Sequence, residues 1–177
     1  MARVEATFQT EFYRSLRSLP DYKFYHNIRD DGFQNPFDAM MTYGGVSYAL
    51  EYKISKNHIS IPLFELFRDR SHEIRALRRN KKAGGRGYVL VNVFVARKIN
   101  TVYVIDVDDY VSLCRRVLPK KSIKLTDPIL KNFPQMPKIA TDTGKIWNLN
   151  TIINYEPIQK ALQESSNAKK ERRKKTN

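Results

Sequence analysis

The sequence predicts an α/β fold in which a helix, three strands, a second helix and two more strands precede a small helical and irregular addition. Three observations carry that reading. Phe8, Phe12, Leu16 and Leu19 recur at helical spacing. The runs 88–95 and 101–107 are almost wholly β-branched or aromatic, as strands buried on both faces require. Gly and Pro then punctuate the chain between such segments.

Taken in order, the first amphipathic helix covers Phe8 to Leu19 and is stopped by Pro20-Asp21. Tyr22 to Ile28 is aromatic-rich and predicts a strand, closed by the polar turn Arg29-Asp30-Asp31-Gly32. Pro36 to Thr42 and Val46 to Ile54 predict a hairpin across Tyr43-Gly44-Gly45. After Pro62, the residues Leu63, Leu66, Phe67, Ile74 and Leu77 form one stripe of a long basic helix, which Ala83-Gly84-Gly85 ends. The two apolar runs should pair antiparallel across Lys98-Ile99-Asn100. Asp108 and Asp109 can cap a short helix reaching Leu118, where Pro119 stops it. Between Leu125 and Asn150 three prolines predict an irregular packed segment with one late strand near Ile146 to Leu149, and Pro157 opens a last helix through Leu162. The expected division is a core at 1–107, an addition packed on it at 108–166 and a basic tail at 167–177.

Composition bounds the function. The 177 residues are 41% hydrophobic and 28% charged, which excludes general disorder and allows one domain or at most two. The single cysteine, Cys114, excludes an intramolecular disulfide and a multi-cysteine zinc site, and suits a reducing cytoplasm. No apolar run approaches the ~20 residues of a membrane span, and the N-terminus lacks a signal-peptide layout, so the expected location is inside the cell, without a membrane partner. Against 18 acidic residues stand 32 Lys and Arg, a net charge of +14 that calls for a polyanion. The surplus is concentrated. Residues 65–86 hold eight basic and three acidic residues, and residues 167–177 hold six and one.

The candidate chemistry lies in the hairpin. Pro36-Phe37-Asp38 precedes its turn and Glu51-Tyr52-Lys53 follows it. Facing positions of a hairpin are a few Å apart, and residues two apart on a strand share a face, so Asp38, Glu51 and Lys53 should share one small site. Two close carboxylates repel unless a divalent cation lies between them, which points to Mg²⁺, with Mn²⁺ as a substitute. Such a trio suits phosphodiester hydrolysis: the ion polarises the phosphate and acidifies a bound water while the lysine steadies developing charge. A solvated Glu51–Lys53 pair at a strand end is the plainer alternative.

These residues resemble a known family. Asn35-Pro36-Phe37-Asp38, Ala49-Leu50-Glu51-Tyr52-Lys53, Ser71-His72-Glu73-Ile74-Arg75-Ala76-Leu77 and Ala83-Gly84-Gly85-Arg86-Gly87-Tyr88 before an apolar strand look like the PD-(D/E)XK nucleases, and most like the RecU and Hjc type Holliday junction resolvases and their phage relatives. The resemblance covers about Phe8 to Ile105. It implies a restriction-endonuclease-like core with a mixed central sheet, a homodimer, Mg²⁺ or Mn²⁺ with no organic cofactor, and paired nicks in branched DNA such as a four-way junction. It also implies Asp38 and Glu51 as metal ligands and Lys53 as the catalytic lysine.

Two departures from the family pattern matter. The glutamate usual in the first helix falls at Gln9, and the glutamine usual in the His-Gln-Ile motif is Glu73. An amide is a poorer Mg²⁺ ligand than a carboxylate. One account moves the third carboxylate to Glu73; others make Gln9 an engineered replacement, or give the ligand role to Glu5 or Glu11. On the second helix and beside the site, Arg68, His72, Arg75, Arg78, Arg79, Lys81, Lys82 and Lys56 are the expected phosphate contacts, against the alternative of a merely solvated face. Lys169-Lys170-Glu171-Arg172-Arg173-Lys174-Lys175 should add salt-dependent affinity. Gly84-Gly85-Arg86-Gly87 follows a helix and precedes a strand, the wrong order for a phosphate-binding loop. Two readings of the chain remain as alternatives, another PD-(D/E)XK endonuclease and a DNA-binding module whose nuclease site has decayed.

Overall fold

Two consecutive glycines set the first half of the sheet. Gly44 and Gly45 both take positive φ, 56° and 77°, the combination that a two-residue hairpin turn needs. They join strand β2 (Ala39–Tyr43) to the long β3 (Val46–Lys56) in antiparallel register, with Ala39 opposite Leu50 and Tyr43 opposite Val46. In this computed structural model, residues 2–19, 24–27, 36–56, 60–63, 71–96, 98–117, 122–142 and 144–155 are described. The expected turn at 29–32, the stripe residues Leu66 and Phe67, Arg68, the helix from Pro157 and the basic tail lie outside them.

Helix α1 (Ala2–Leu16) comes first, then the short β1 (Phe24–Asn27) on the outer edge of β2. After β3, β4 (Ser60–Pro62) leads to α2 (Ser71–Lys82) and to β5 (Arg86–Val95), which returns parallel to β3. Strand β6 (Ile99–Asp106) pairs antiparallel with β5, and β8 (Gln135–Met136) closes the far edge. The sheet is therefore mixed and six-stranded, in the order β1-β2-β3-β5-β6-β8. The helix, three-strand, helix, two-strand order and the antiparallel pairing of the two apolar runs agree with expectation. Gly84, at φ 90°, ends α2 as expected of a C-cap glycine.

Each face of the sheet carries its own apolar layer. Ala49, Val89, Val91 and Val93 point to one side, where Ile74 and Leu77 of α2 and Tyr110, Val111 and Leu113 of α3 (Val107–Val117) cover them. Tyr48, Leu50, Tyr52 and Leu90 point to the other side, under Phe8, Phe12 and Leu16 of α1. This alternation is the period of two read through a strand buried on both faces. No described helix is long and apolar enough to cross a membrane.

The structure differs from expectation in several places. Helix α1 begins at Ala2, well before Phe8, and ends at Leu16. Pro36 to Asp38 precede β2 instead of belonging to it. Ser60–Pro62 is a strand paired with β7 (Ser122–Lys124), where Ile61 and Ile123 meet in the core. The expected irregular segment is more ordered than its prolines suggest: a 3-10 turn (Pro128–Asn132), β8, and the hairpin of β9 (Lys138–Thr141) and β10 (Gly144–Trp147) lead to the one-turn helix α4 (Asn150–Ile153). Trp147 is its anchor, wholly buried, with its backbone N–H donating to Ser15 Oγ at 2.8 Å and its ring 5.8 Å from that of Phe8. Helix α3 is capped by Asp106 rather than by Asp108 or Asp109: Asp106 Oδ1 accepts from the Asp108 N–H at 2.9 Å. Cys114 is buried as expected, and burial pushes its thiol up to about 11.

Candidate active site

The hairpin register brings the expected residues together. Asp38 stands one step beyond the Ala39–Leu50 pair and therefore opposite Glu51. Its backbone N–H donates to the Leu50 carbonyl at 3.1 Å, and its carboxylate Oδ2 accepts from the Tyr52 N–H at 2.6 Å. The carboxylate is thus pinned to the backbone between Glu51 and Lys53. Because Leu50 and Tyr52 point towards α1, Glu51 and Lys53 point towards α2.

Glu51 is only 1% exposed, and its Oε1 lies 2.9 Å from Lys53 Nζ. Its other oxygen, Oε2, has no hydrogen-bond partner among the described residues. Burial, and then the charge of Asp38, push the Glu51 carboxyl up to about 8 against the opposing pull of Lys53. Burial alone would lower Lys53, but Glu51 first, then Glu73 and Asp38, outweigh it and hold the ammonium above its usual range. Glu73, in the first turn of α2, is 6% exposed and acts on Glu51 and Lys53 through its charge. One ammonium is therefore enclosed by three carboxylates, an excess of negative charge in a site with little water. A buried oxygen without a donor, beside a second carboxylate fixed by a backbone N–H, fits a hard divalent cation that takes its remaining ligands from water and phosphate.

The expected metal trio of Asp38, Glu51 and Glu73 is not assembled. Among the described residues no three His, Cys, Asp or Glu side chains converge to hold one ion. The Lys53 ammonium, paired with Glu51, supplies the positive charge among them instead. Gln9 is half-buried on α1, whose packing residues Phe8 and Phe12 lie on the opposite face of the sheet from Glu51. Glu11, the other possible source on α1, is in an ion pair with Lys138 at 2.7 Å.

The basic residues divide into two groups. Arg75, Arg79 and Lys82 on α2 and Lys56 at the end of β3 are exposed, and His72 is half-buried. Arg78 and Lys81 instead form ion pairs: Arg78 Nε reaches Asp108 at 2.7 Å, and Lys81 Nζ reaches Asp106 at 2.7 Å and Asp108 at 2.8 Å. Sequence reading missed these partners. The acidic run Asp106-Val107-Asp108-Asp109 at a strand-to-helix junction was the available signal, but it was assigned wholly to capping.

No family model and no curated protein matches the chain. Among solved structures, the chain is similar to Hjc, a Holliday junction resolvase from the archaeal hyperthermophile Archaeoglobus fulgidus, with a TM-score of 0.43 and 16% identity over 75% of this chain and 93% of that one. At that likeness the neighbour assigns neither an activity nor a site residue to this chain.

Proposed function

We propose that this protein is a metal-dependent endodeoxyribonuclease, with Asp38 and Glu51 as the ligands of a Mg²⁺ or Mn²⁺ ion and Lys53 as the catalytic lysine. The observation that carries the proposal is the buried Glu51, which has an oxygen without a partner and sits beside a backbone-anchored Asp38 and an ammonium at 2.9 Å. Enclosed acids of one sign, with a strongly raised carboxyl among them, mark functional sites more often than structural ones. The bound ion would supply Lewis-acid polarisation of a phosphate and acidification of water. The chain supplies the rest. The Tyr52 N–H fixes the Asp38 carboxylate, the apolar layer around Ile74 and Val91 limits water, and Lys53 places a positive charge where a phosphate oxygen gains negative charge. Arg75, Arg79, Lys82 and Lys56 are the phosphate contacts that position the duplex without reading its sequence.

The favoured substrate is a four-way DNA junction. Symmetric nicks in two opposing strands need two active centres related by a two-fold axis, so the protein acts as a homodimer. A second reading keeps the fold and the DNA but not the cleavage, and the missing three-carboxylate cluster favours it. Labelled four-way junction, flap and linear duplex incubated with Mg²⁺ separate the cases. Paired symmetric nicks in the junction alone, lost in Asp38→Asn and Lys53→Ala, establish resolution. Cutting of all three DNAs makes the protein a less selective endonuclease, whereas tight binding without cutting makes it a binding module.

A further inference from the structure

We propose that Glu73 is a second seat for the Lys53 ammonium, occupied when a divalent cation takes Glu51. The inference rests on Asp38 and Glu51 being the metal ligands. Lys53 Nζ now lies 2.9 Å from Glu51 Oε1, so the lysine holds an oxygen that an incoming cation needs. An ammonium and a divalent ion cannot share that oxygen closely, because like charges in a poorly hydrated site repel strongly. Displaced into apolar surroundings with no counter-charge, the ammonium would oppose metal entry.

The fold supplies a counter-charge on the correct face. Glu73 lies in the first turn of α2, a helix fixed on β3 and β5 by Ile74 and Leu77, and it is 6% exposed above the face that carries Glu51 and Lys53. A lysine side chain has four rotatable carbons, enough to turn its ammonium from one carboxylate to another without moving the strand. Glu73 is then a positioning residue. It makes metal entry affordable and leaves the lysine cationic beside the ion.

A double-mutant cycle on Mn²⁺ binding, measured calorimetrically on the full chain, tests this. Glu73→Gln should weaken binding about fivefold, since the lysine then stays on Glu51. Lys53→Met should tighten binding by a similar factor. In the Lys53→Met background, adding Glu73→Gln should change affinity by less than about twofold, because no ammonium remains to be seated. Glu73→Asp, which keeps the charge in a shorter side chain, should recover much of the affinity and guards against a folding defect in Glu73→Gln. Equal weakening by Glu73→Gln in both backgrounds would make Glu73 a direct ligand and overturn the proposal, as would no weakening in either. Glu51→Gln separates the two levels. If it abolishes binding while Glu73→Gln does nothing, the seat alone fails; if the unmodified protein takes up no Mn²⁺, the metal reading fails with it.

Discussion

The two ends of α2 carry two clusters built from the same parts and finished differently. At its C-terminal end, Lys81 bonds both oxygens of Asp106 and one of Asp108, Arg78 bonds the other Asp108 oxygen, and Asp106 also caps α3. At its N-terminal end, Lys53 meets Glu51 alone at bonding distance, and Glu51 keeps an oxygen without a partner. The electrostatics follow the bookkeeping. Burial would raise Asp108, but Lys81 and Arg78 outweigh it and hold the carboxyl below its usual range. Glu51 is pushed the other way, up to about 8. A cluster with every group satisfied ties two helices together; one left short of positive charge is poised to take it from a ligand.

The comparison breaks most visibly in catalysis. Lys53→Ala should lower DNA cleavage by about a thousandfold, whereas Lys81→Ala should leave the turnover of folded protein within a few-fold, as single-turnover assays would show. The stabilities should reverse that order. Lys81→Met leaves the buried Asp106 short of its cation and should cost about 2 kcal/mol in urea unfolding, while Glu51→Gln should stabilise the metal-free protein by on the order of 1 kcal/mol at neutral pH by removing a buried charge.

The sign of the pH dependence sharpens the contrast. A carboxyl raised on folding favours the native state below its unfolded value and loses that advantage as pH climbs through the folded value. Metal-free protein should therefore lose stability between 4.5 and about 8 on account of Glu51, and thermal melts of Glu51→Gln in chelator should be flatter across that window. Asp108 acts in the opposite sense. Its depressed value stabilises the fold above the ordinary carboxyl value of 3.8 and fails as pH falls below it. Asp108→Asn should soften only that acid limb, by less than about 1 kcal/mol because the pair is partly exposed.

Much of this was legible in the sequence where the signal is local. Gly44-Gly45 between alternating strands fixed the hairpin, and the hairpin fixed Asp38 opposite Glu51 with Lys53 on the same face. The helical spacing of Ile74 and Leu77 placed Glu73 inward. What was hidden depends on distant partners. Lys81 reads as one more surface cation until β6 brings Asp106 beneath it, 25 residues on. That α1 and α2 lie on opposite faces, which sets Gln9 apart from Glu51, follows only from the sheet order. Strands as short as Gln135–Met136 and Lys138–Thr141 leave too little periodicity to read, especially with Pro134 and Pro137 beside them.

The central claim is that the negative charge around Glu51 is there for a cation, and one measurement meets it directly. Thermal melting in chelator and again in excess Mg²⁺ should show a clear rise in Tm for the unmodified protein, because an ion bound only by the folded state stabilises it, and no rise for Glu51→Gln. Equal shifts in both proteins, or none in the first, would contradict the account.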